Sequence, residues 1–217
     1  MSPTRKPRTR RYSSPARTEQ AESTRRKVID AATQLFLERG FARATVSAVA
    51  GVARVSAETI YATFENKRRL LEAVIDATII GPTTSVPLEE QSEWDDIARQ
   101  PTARARLRAY VAFSCGVLSR TSPIHHVIRA AADSEPFAVA LGDRLLRERL
   151  ASNVKHLRDY LGDELREGLP LRRAAERYCA LSSPEMHHLL TVKLGWSRRM
   201  HQEWLGDMAE RELLGAR

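Results

Sequence analysis

Side chains that can form hydrogen bonds with a polyanion recur between residues 45 and 67. Thr59, Tyr61 and Thr63 offer hydroxyl groups to phosphate oxygens or base edges, and Lys67 adds a positive charge. Alanines stand between them, and a small side chain lets a helix approach base edges, where its methyl group can contact that of thymine. This composition is typical of a surface that contacts duplex nucleic acid.

Helical periodicity predicts the elements that position these side chains. An apolar stripe with a period near 3.6 residues precedes them, and Gly40 follows it at a position typical of a helix C-cap. Thr45 and Ser56 can each cap a short helix, the second of which extends to Phe64, and Asn66 can cap a fourth helix. The stripe consists of Val28, Ile29, Ala32, Leu35 and Phe36.

The third predicted helix has an inner and an outer face. Ile60 and Phe64 lie four residues apart and should both pack against the first helix. Three helices within residues 23–64, the last two joined by a short break at 53–55, match a helix-turn-helix motif at about 45–64. Such a motif places its third helix in the major groove. The outer face consists of Ala57, Glu58, Tyr61 and Ala62.

The run ATVSAVAGVARVSAETIYATFENKRRLLEAV resembles the DNA-binding signature of the TetR family of repressors. The resemblance implies phosphate contacts at Thr45, Thr59, Tyr61 and Lys67. It also implies base or groove contacts among Ser56, Ala57, Glu58, Ala62 and Thr63. The positions that match the signature over about 45 residues are Phe36, Gly40, Thr45, Val49, Ala50, Ala53, Val55, Ser56, Thr59, Ile60, Tyr61, Phe64 and Lys67.

Two residues depart from what such a site leads one to expect. Family members usually have glycine in the turn where this chain has Arg54, and a left-handed conformation would cost arginine ~1–2 kcal/mol. An additional phosphate contact from Arg54 could offset that cost. Glu58 could accept a hydrogen bond from cytosine N4, or it could repel phosphate and so sharpen specificity.

The remainder of the chain also has helical patterning, so we predict an all-α fold. We expect a basic disordered arm at 1–21, a helix-turn-helix domain at 22–80, a linker marked by Gly81, Pro82 and Pro87, and a helical ligand-binding and dimerisation domain at 92–217. The predicted helices of that domain lie near 92–99, 102–120, 123–132, 135–165, 171–181, 184–194 and 197–214.

The resemblance implies that a small-molecule effector binds among these helices. The candidate lining residues come from the segments 102–120, 123–132, 135–165 and 171–181. They are Tyr110, Phe113, Ser114, Val117, His126, Arg129, Tyr160 and Tyr178.

The end of the chain, PEMHHLLTVKLGWSRRMHQEWLGDMAERELL, resembles the closing segment of a TetR subgroup marked by GWS and a later WL pair. The resemblance implies a homodimer. Trp196, Met200, Trp204 and Met208 form a stripe large enough for a helix–helix interface. The same stripe could instead pack inside its own subunit.

Positive charge is concentrated at the N-terminus. Nine basic and two acidic side chains lie in the first 27 residues, which carry +7 of the total net charge of +8. We interpret the arm as a segment that follows phosphates or enters a minor groove, with a solubilising tail as the alternative.

Several classes of protein are excluded or disfavoured by composition. No apolar run reaches the ~20 residues of a membrane span, and the basic N-terminus precedes no apolar signal region, so we expect a cytoplasmic protein. Cys115 and Cys179 lack the spacing of a zinc site or a disulfide framework. The adjacent pairs His125–His126 and His187–His188 point to different helix faces, so we expect no metal and no cofactor.

Our prediction is a DNA-binding transcriptional repressor that is released from its operator by a small molecule, and two rival functions remain. A sequence-nonspecific architectural protein would bind duplex DNA mainly through the basic arm. An enzyme is disfavoured because the chain has no Gly-rich phosphate loop, recognisable carboxylate pair or nucleophile–base signature.

Deletion of residues 2–20 should lower the affinity for DNA mostly at low salt, because the contacts of a basic arm are screened at high salt. Binding measured at two ionic strengths tests this. Unchanged affinity at low salt would assign the segment to a tail without DNA contacts.

Overall fold

The computed structural model describes residues 15–81 and 92–214. Within those ranges the chain is helical and contains no strand, which confirms the all-α prediction. No helix in these ranges is long and apolar enough to cross a bilayer. The helices are α1 (Pro15–Arg43), α2 (Val46–Ala53), α3 (Ala57–Phe64), α4 (Lys67–Ile80), α5 (Glu93–Ala98), α6 (Ala103–Ala131), α7 (Pro136–Leu161), α8 (Leu171–Leu181), α9 (Pro184–His188) and α10 (Arg198–Leu213).

Helices α1 to α4 form the N-terminal head around the predicted apolar stripe. Val28, Leu35 and Phe36 of α1 are at most 1% exposed, and they pack with buried residues of α2, α3 and α4. Gly40 kinks α1 with φ 73°, as expected of a C-cap glycine, and one further turn leads to Ala44. Thr45, Ser56 and Asn66 are the N-caps of α2, α3 and α4, as predicted.

The head packs directly on the C-terminal half of the chain. Its core continues into the end of α6, through Ile124 and Ile128, and into the start of α7, through Leu141. A second core lies where the start of α6 meets the end of α7, α8 and α10. The two halves are therefore joined by apolar packing as well as by the chain.

The boundaries differ from the predictions in two places. Helix α1 begins at Pro15, so residues 15–21 are helical, whereas we predicted a disordered arm there; residues 1–14 lie outside the described ranges. Proline is favoured at the start of a helix, and the Ala and Glu residues that follow it are good helix formers. A deletion that tests the arm alone should accordingly stop at residue 14.

Helix α6 also runs through Pro123, where we predicted a break between two helices. An internal proline costs about 3 kcal/mol because it removes a hydrogen bond and crowds the preceding turn. Leu118 in the turns before the proline and Ile124 directly after it are both buried, and their packing holds the helix together across the proline.

The turn between α2 and α3 forces Arg54 into the left-handed conformation, with φ 56° and ψ 46°. The Arg54 N–H donates to the carbonyl of Gly51, and the Val55 N–H donates to that of Ala50. These two bonds define a Schellman motif, whose left-handed position is usually occupied by glycine. The sequence prediction of strain at this residue is confirmed by its geometry.

Arg54→Gly should therefore raise the free energy of unfolding by ~1 kcal/mol, because glycine adopts this conformation without a steric penalty. Urea unfolding monitored by circular dichroism measures the change. Arg99→Gly is the matched control, since Arg99 ends α5 with an ordinary φ of −74°. Equal or lower stability of the Arg54 variant would contradict the assignment of strain.

Candidate nucleic-acid interface and internal cavity

One face of α3 is buried and the opposite face is open. Ile60 and Phe64 are 1% and 4% exposed, whereas the Tyr61 side chain is 51% exposed. The Arg25 guanidinium of α1 lies 4.7 Å from the centre of the Phe64 ring, which ties the end of α3 to α1. Ala57 and Thr59 are half-buried, and Glu58, Ala62 and Thr63 are exposed.

Hydroxyl groups at the start of α3 are oriented by local hydrogen bonds. The Ser56 Oγ accepts from the Thr59 N–H at 3.2 Å and lies 3.1 Å from the Thr59 Oγ1. The Thr63 hydroxyl donates to the Thr59 carbonyl at 2.8 Å, so its oxygen can still accept a bond from a donor on DNA. At the preceding helix, exposed Thr45 accepts from the Ala48 N–H.

Glu58 is an anion on this face. A hydrogen bond from its own backbone N–H, followed by one from the Ser56 side chain, lowers the pKa of the Glu58 carboxyl. The exposed carboxylate can therefore accept hydrogen bonds from a base amino group but cannot donate one to phosphate.

Lys67 has a role that its sequence position did not indicate. Its Nζ donates to the Ala42 carbonyl at 3.2 Å and lies 4.3 Å from the centre of the Phe41 ring. Burial lowers the pKa of this amine. An ammonium group has three donors, so one bond to the end of α1 leaves two for a phosphate oxygen.

A cavity of about 240 Å³ lies between α6 and α7 in the C-terminal half. Four of the predicted lining residues, Tyr110, Phe113, Ser114 and Val117, line it. Ile79, near the end of α4, also contributes to the wall, so the head reaches the cavity directly.

The other four predicted lining residues do not line the cavity. His126 is exposed and stacks on His188, and Arg129 is exposed as well. Tyr160 and Tyr178 belong to the second core. Adjacent residues of a helix point in directions about 100° apart around its axis. His125 therefore lines the cavity, whereas the predicted residue, His126, does not.

Sequence reasoning missed the polar wall that α7 supplies. Arg149, Ser152 and Asn153 line the cavity, together with Trp94 of α5. The Asn153 Oδ1 accepts a hydrogen bond from the Tyr110 hydroxyl at 2.7 Å. The periodicity of α7 indicated its apolar residues, but no local signal indicated which of its polar residues would face inward.

The predicted dimerisation stripe is divided between the interior and the surface. Trp204 is half-buried against the second core, and its ring meets that of Trp196 edge-on at 6.1 Å. Met208 is half-buried, while Met200 is 49% exposed. Further exposed apolar side chains lie just before α10, namely Leu189, Val192 and Leu194.

The side chains that could ligate a metal ion are not grouped in the part of the chain that the structure describes. Within residues 15–81 and 92–214, no three His, Cys, Asp or Glu side chains are grouped so that they could hold a metal ion. Cys115 and Cys179 are both buried free thiols.

Comparisons with known proteins agree with this geometry. Residues 28–74 match the sequence model of the family described as bacterial regulatory proteins, tetR family. Over 59 residues, the chain is 41% identical to the HTH-type transcriptional regulator TtgR of Pseudomonas putida, which is 27% of this chain and 28% of TtgR. The chain thus matches less than a third of the length of this curated relative.

Solved structures resemble the chain over most of its length. The repressor NalD of the MexAB-OprM multidrug efflux pump in Pseudomonas aeruginosa has a TM-score of 0.66 at 19% identity, over 89% of this chain and 98% of NalD. A SmeT–triclosan complex has a TM-score of 0.67 at 21% identity, over 88% of this chain and 92% of SmeT. Residues 28–74 are therefore similar to the tetR family's sequence model, and the chain shares the fold of these solved structures over 88–89% of its length.

Lys67→Ala should weaken binding to every DNA sequence and reduce the slope of log affinity against log salt by about one, because one phosphate contact is lost. Binding titrations at several salt concentrations measure the slope. Lys193→Ala, which removes an exposed lysine from the C-terminal half, is the control. Equal slopes for Lys67→Ala and the parent protein would restrict Lys67 to its bond with Ala42.

Proposed function

We propose that this chain is a bacterial transcriptional repressor that binds duplex operator DNA and is released from it by a small molecule. The observation that carries the proposal is the exposed flank of α3, held outward by the burial of Ile60 and Phe64 within a tetR-family DNA-binding domain. As a bacterial DNA-binding regulator it would act in the cytoplasm, associated with the nucleoid when bound.

The proposed DNA contacts divide into two groups. Thr45, Arg54, Thr59, Tyr61 and Lys67 contact phosphates, which positions the head on the duplex. The base or groove contacts come from Ser56, Ala57, Glu58, Ala62 and Thr63, where Glu58 accepts a hydrogen bond from cytosine. Exposure of most of these side chains supports the assignment.

The proposed mechanism couples the cavity to the head through α4. Ile79 lines the cavity, and the Arg120 guanidinium of α6 donates to the carbonyls of Thr78 and Ile79 at the end of α4. A ligand that prefers a displaced position of α4 would move the head and weaken DNA binding, with a typical coupling of about 1–3 kcal/mol.

We further propose a homodimer in which Trp196, Met200, Trp204 and Met208 lie at the interface, as in the GWS-type subgroup. The exposed apolar side chains around Met200 and Leu194 support this arrangement, since a contiguous apolar surface is typical of an interaction site. A two-fold dimer would present its α3 helices to successive major grooves, roughly 34–36 Å apart.

Footprinting on fragments selected from genomic DNA tests the DNA-binding proposal. A repressor should protect one palindrome, whereas an architectural protein would protect the DNA continuously. Tyr61→Ala should abolish the protected site without loss of thermal stability, because its side chain is half exposed.

The control is Leu146→Ala, which removes a side chain that is 50% exposed from α7 in the other half of the chain. It should leave the protected site intact. Continuous protection, or a palindrome that survives Tyr61→Ala, would refute the role proposed for α3.

A further inference from the structure

Two hydrogen-bond donors in the cavity wall have no partner within the protein. They are the Arg149 Nε and the Asn153 Nδ2, and both atoms are inaccessible to solvent. Asn153 is 4% exposed. Buried polar atoms in folded proteins nearly always have partners, so two unpartnered donors in one cavity wall point to a ligand that accepts hydrogen bonds.

Their spacing places the two donors side by side. Arg149 and Asn153 are four residues apart on α7, so they occupy the same helix face on successive turns. The Arg149 Nη1 donates to the Ser182 carbonyl at 3.4 Å, which anchors the guanidinium at the wall. Both side chains therefore lie on the face of α7 that lines the cavity.

The oxygen of the Asn153 amide has a hydrogen-bond partner inside the protein. The Tyr178 hydroxyl, fully buried, donates to the Ser114 Oγ at 2.9 Å. The Tyr110 hydroxyl donates to the Asn153 Oδ1 at 2.7 Å. Because this bond occupies the oxygen of the amide, the NH₂ group of Asn153 is the part left without a partner.

The charges of the cavity wall favour an anion next to Arg149. Arg149 is cationic at any relevant pH. Burial, followed by the nearby Arg149 charge, lowers the pKa of His125, so that this wall residue is neutral at pH 7. Glu148 is the opposing wall charge, but its side chain is exposed and its carboxylate lies 3.8 Å from the Arg144 guanidinium.

The remaining wall is aromatic. The Trp94 ring centre lies 4.3 Å from that of Phe113 and 6.3 Å from that of Tyr110. Aromatic side chains of this kind favour a flat ring as ligand. The volume of about 240 Å³ is below the roughly 300–1,000 Å³ of pockets for drug-sized molecules, so the ligand should have one or two rings.

We propose that the cavity binds a small aromatic carboxylate. Its ring lies among Trp94, Tyr110 and Phe113, and its carboxylate accepts hydrogen bonds from the Arg149 guanidinium and the Asn153 amide, whose buried N–H groups are brought to the ligand by rotation of the two side chains. A charge-assisted bond to arginine gives the carboxylate its advantage over a neutral acceptor. This inference rests on the proposed function, since it names the class of effector that occupies the same cavity.

Calorimetric titration of the full chain with four naphthalene derivatives that share one ring system tests the proposal. The substituents are carboxylate, carboxamide, hydroxymethyl and aminomethyl. The carboxylate should bind at least about tenfold more tightly than the neutral compounds, and the amine least tightly, because the donors and the guanidinium reject a cation. Equal binding of carboxylate and alcohol would overturn the proposal.

Three variants locate the site. Arg149→Met should weaken carboxylate binding by about tenfold or more and alcohol binding much less. Asn153→Asp keeps the acceptor for Tyr110 but replaces the donor with an acceptor, so it should also reject the carboxylate. Arg147→Met, an exposed arginine on the same helix, is the matched control and should bind like the parent protein.

The outcomes separate this inference from the proposed function. Equal effects of Arg149→Met and Arg147→Met, with both variants folded by circular dichroism, would overturn the carboxylate site. Failure of all four compounds to bind would overturn the ligand class, while the footprint on genomic DNA would still support a repressor. Absence of a discrete footprint, with carboxylate binding intact, would instead refute the repressor and leave an aromatic-acid-binding protein.

Discussion

The burial of Ile60 and Phe64 is the constraint on which the proposed DNA-binding surface depends. These two side chains pin α3 to α1, and the Arg25 guanidinium over the Phe64 ring holds the end of the helix in place. A short helix has little stability of its own, so packing of its inner face determines where its outer face points. Glu58, Tyr61 and their neighbours are presented to solvent as a consequence.

The same apolar packing extends beyond the head and connects it to the cavity. The Phe41 ring at the end of α1 lies 5.0 Å from that of Phe137 in α7, and the Arg68 guanidinium of α4 lies 4.5 Å from the same ring. At its other end, α4 supplies Ile79 to the cavity wall and is held by Arg120. A packed interior has few intermediate arrangements, so in the mechanism that we propose a ligand that displaces this part of the wall also displaces α4.

The cavity itself is organised by polar groups that are satisfied on one side alone. The Tyr110 hydroxyl satisfies the oxygen of Asn153 and leaves its NH₂ group without a partner. Leaving two buried donors without a partner costs free energy, and the carboxylate that we propose as ligand would recover that cost on binding. Stability and recognition are thus opposed in this part of the molecule.

The sequence by itself determined the features that rest on local interactions. The helical stripe from Val28 to Phe36, the caps at Thr45 and Ser56 and the outer face of α3 all follow from residues within a few positions of one another. Tertiary structure alone decided the features that need distant partners. Lys67 bonds to Ala42 across 25 positions, and α6 directs His125 and not His126 into the cavity, because the rotation of a helix about its axis is set by the helices that pack against it. For the same reason, Arg149 and Asn153 could not be distinguished from the other polar residues of α7 until that helix was packed against α6.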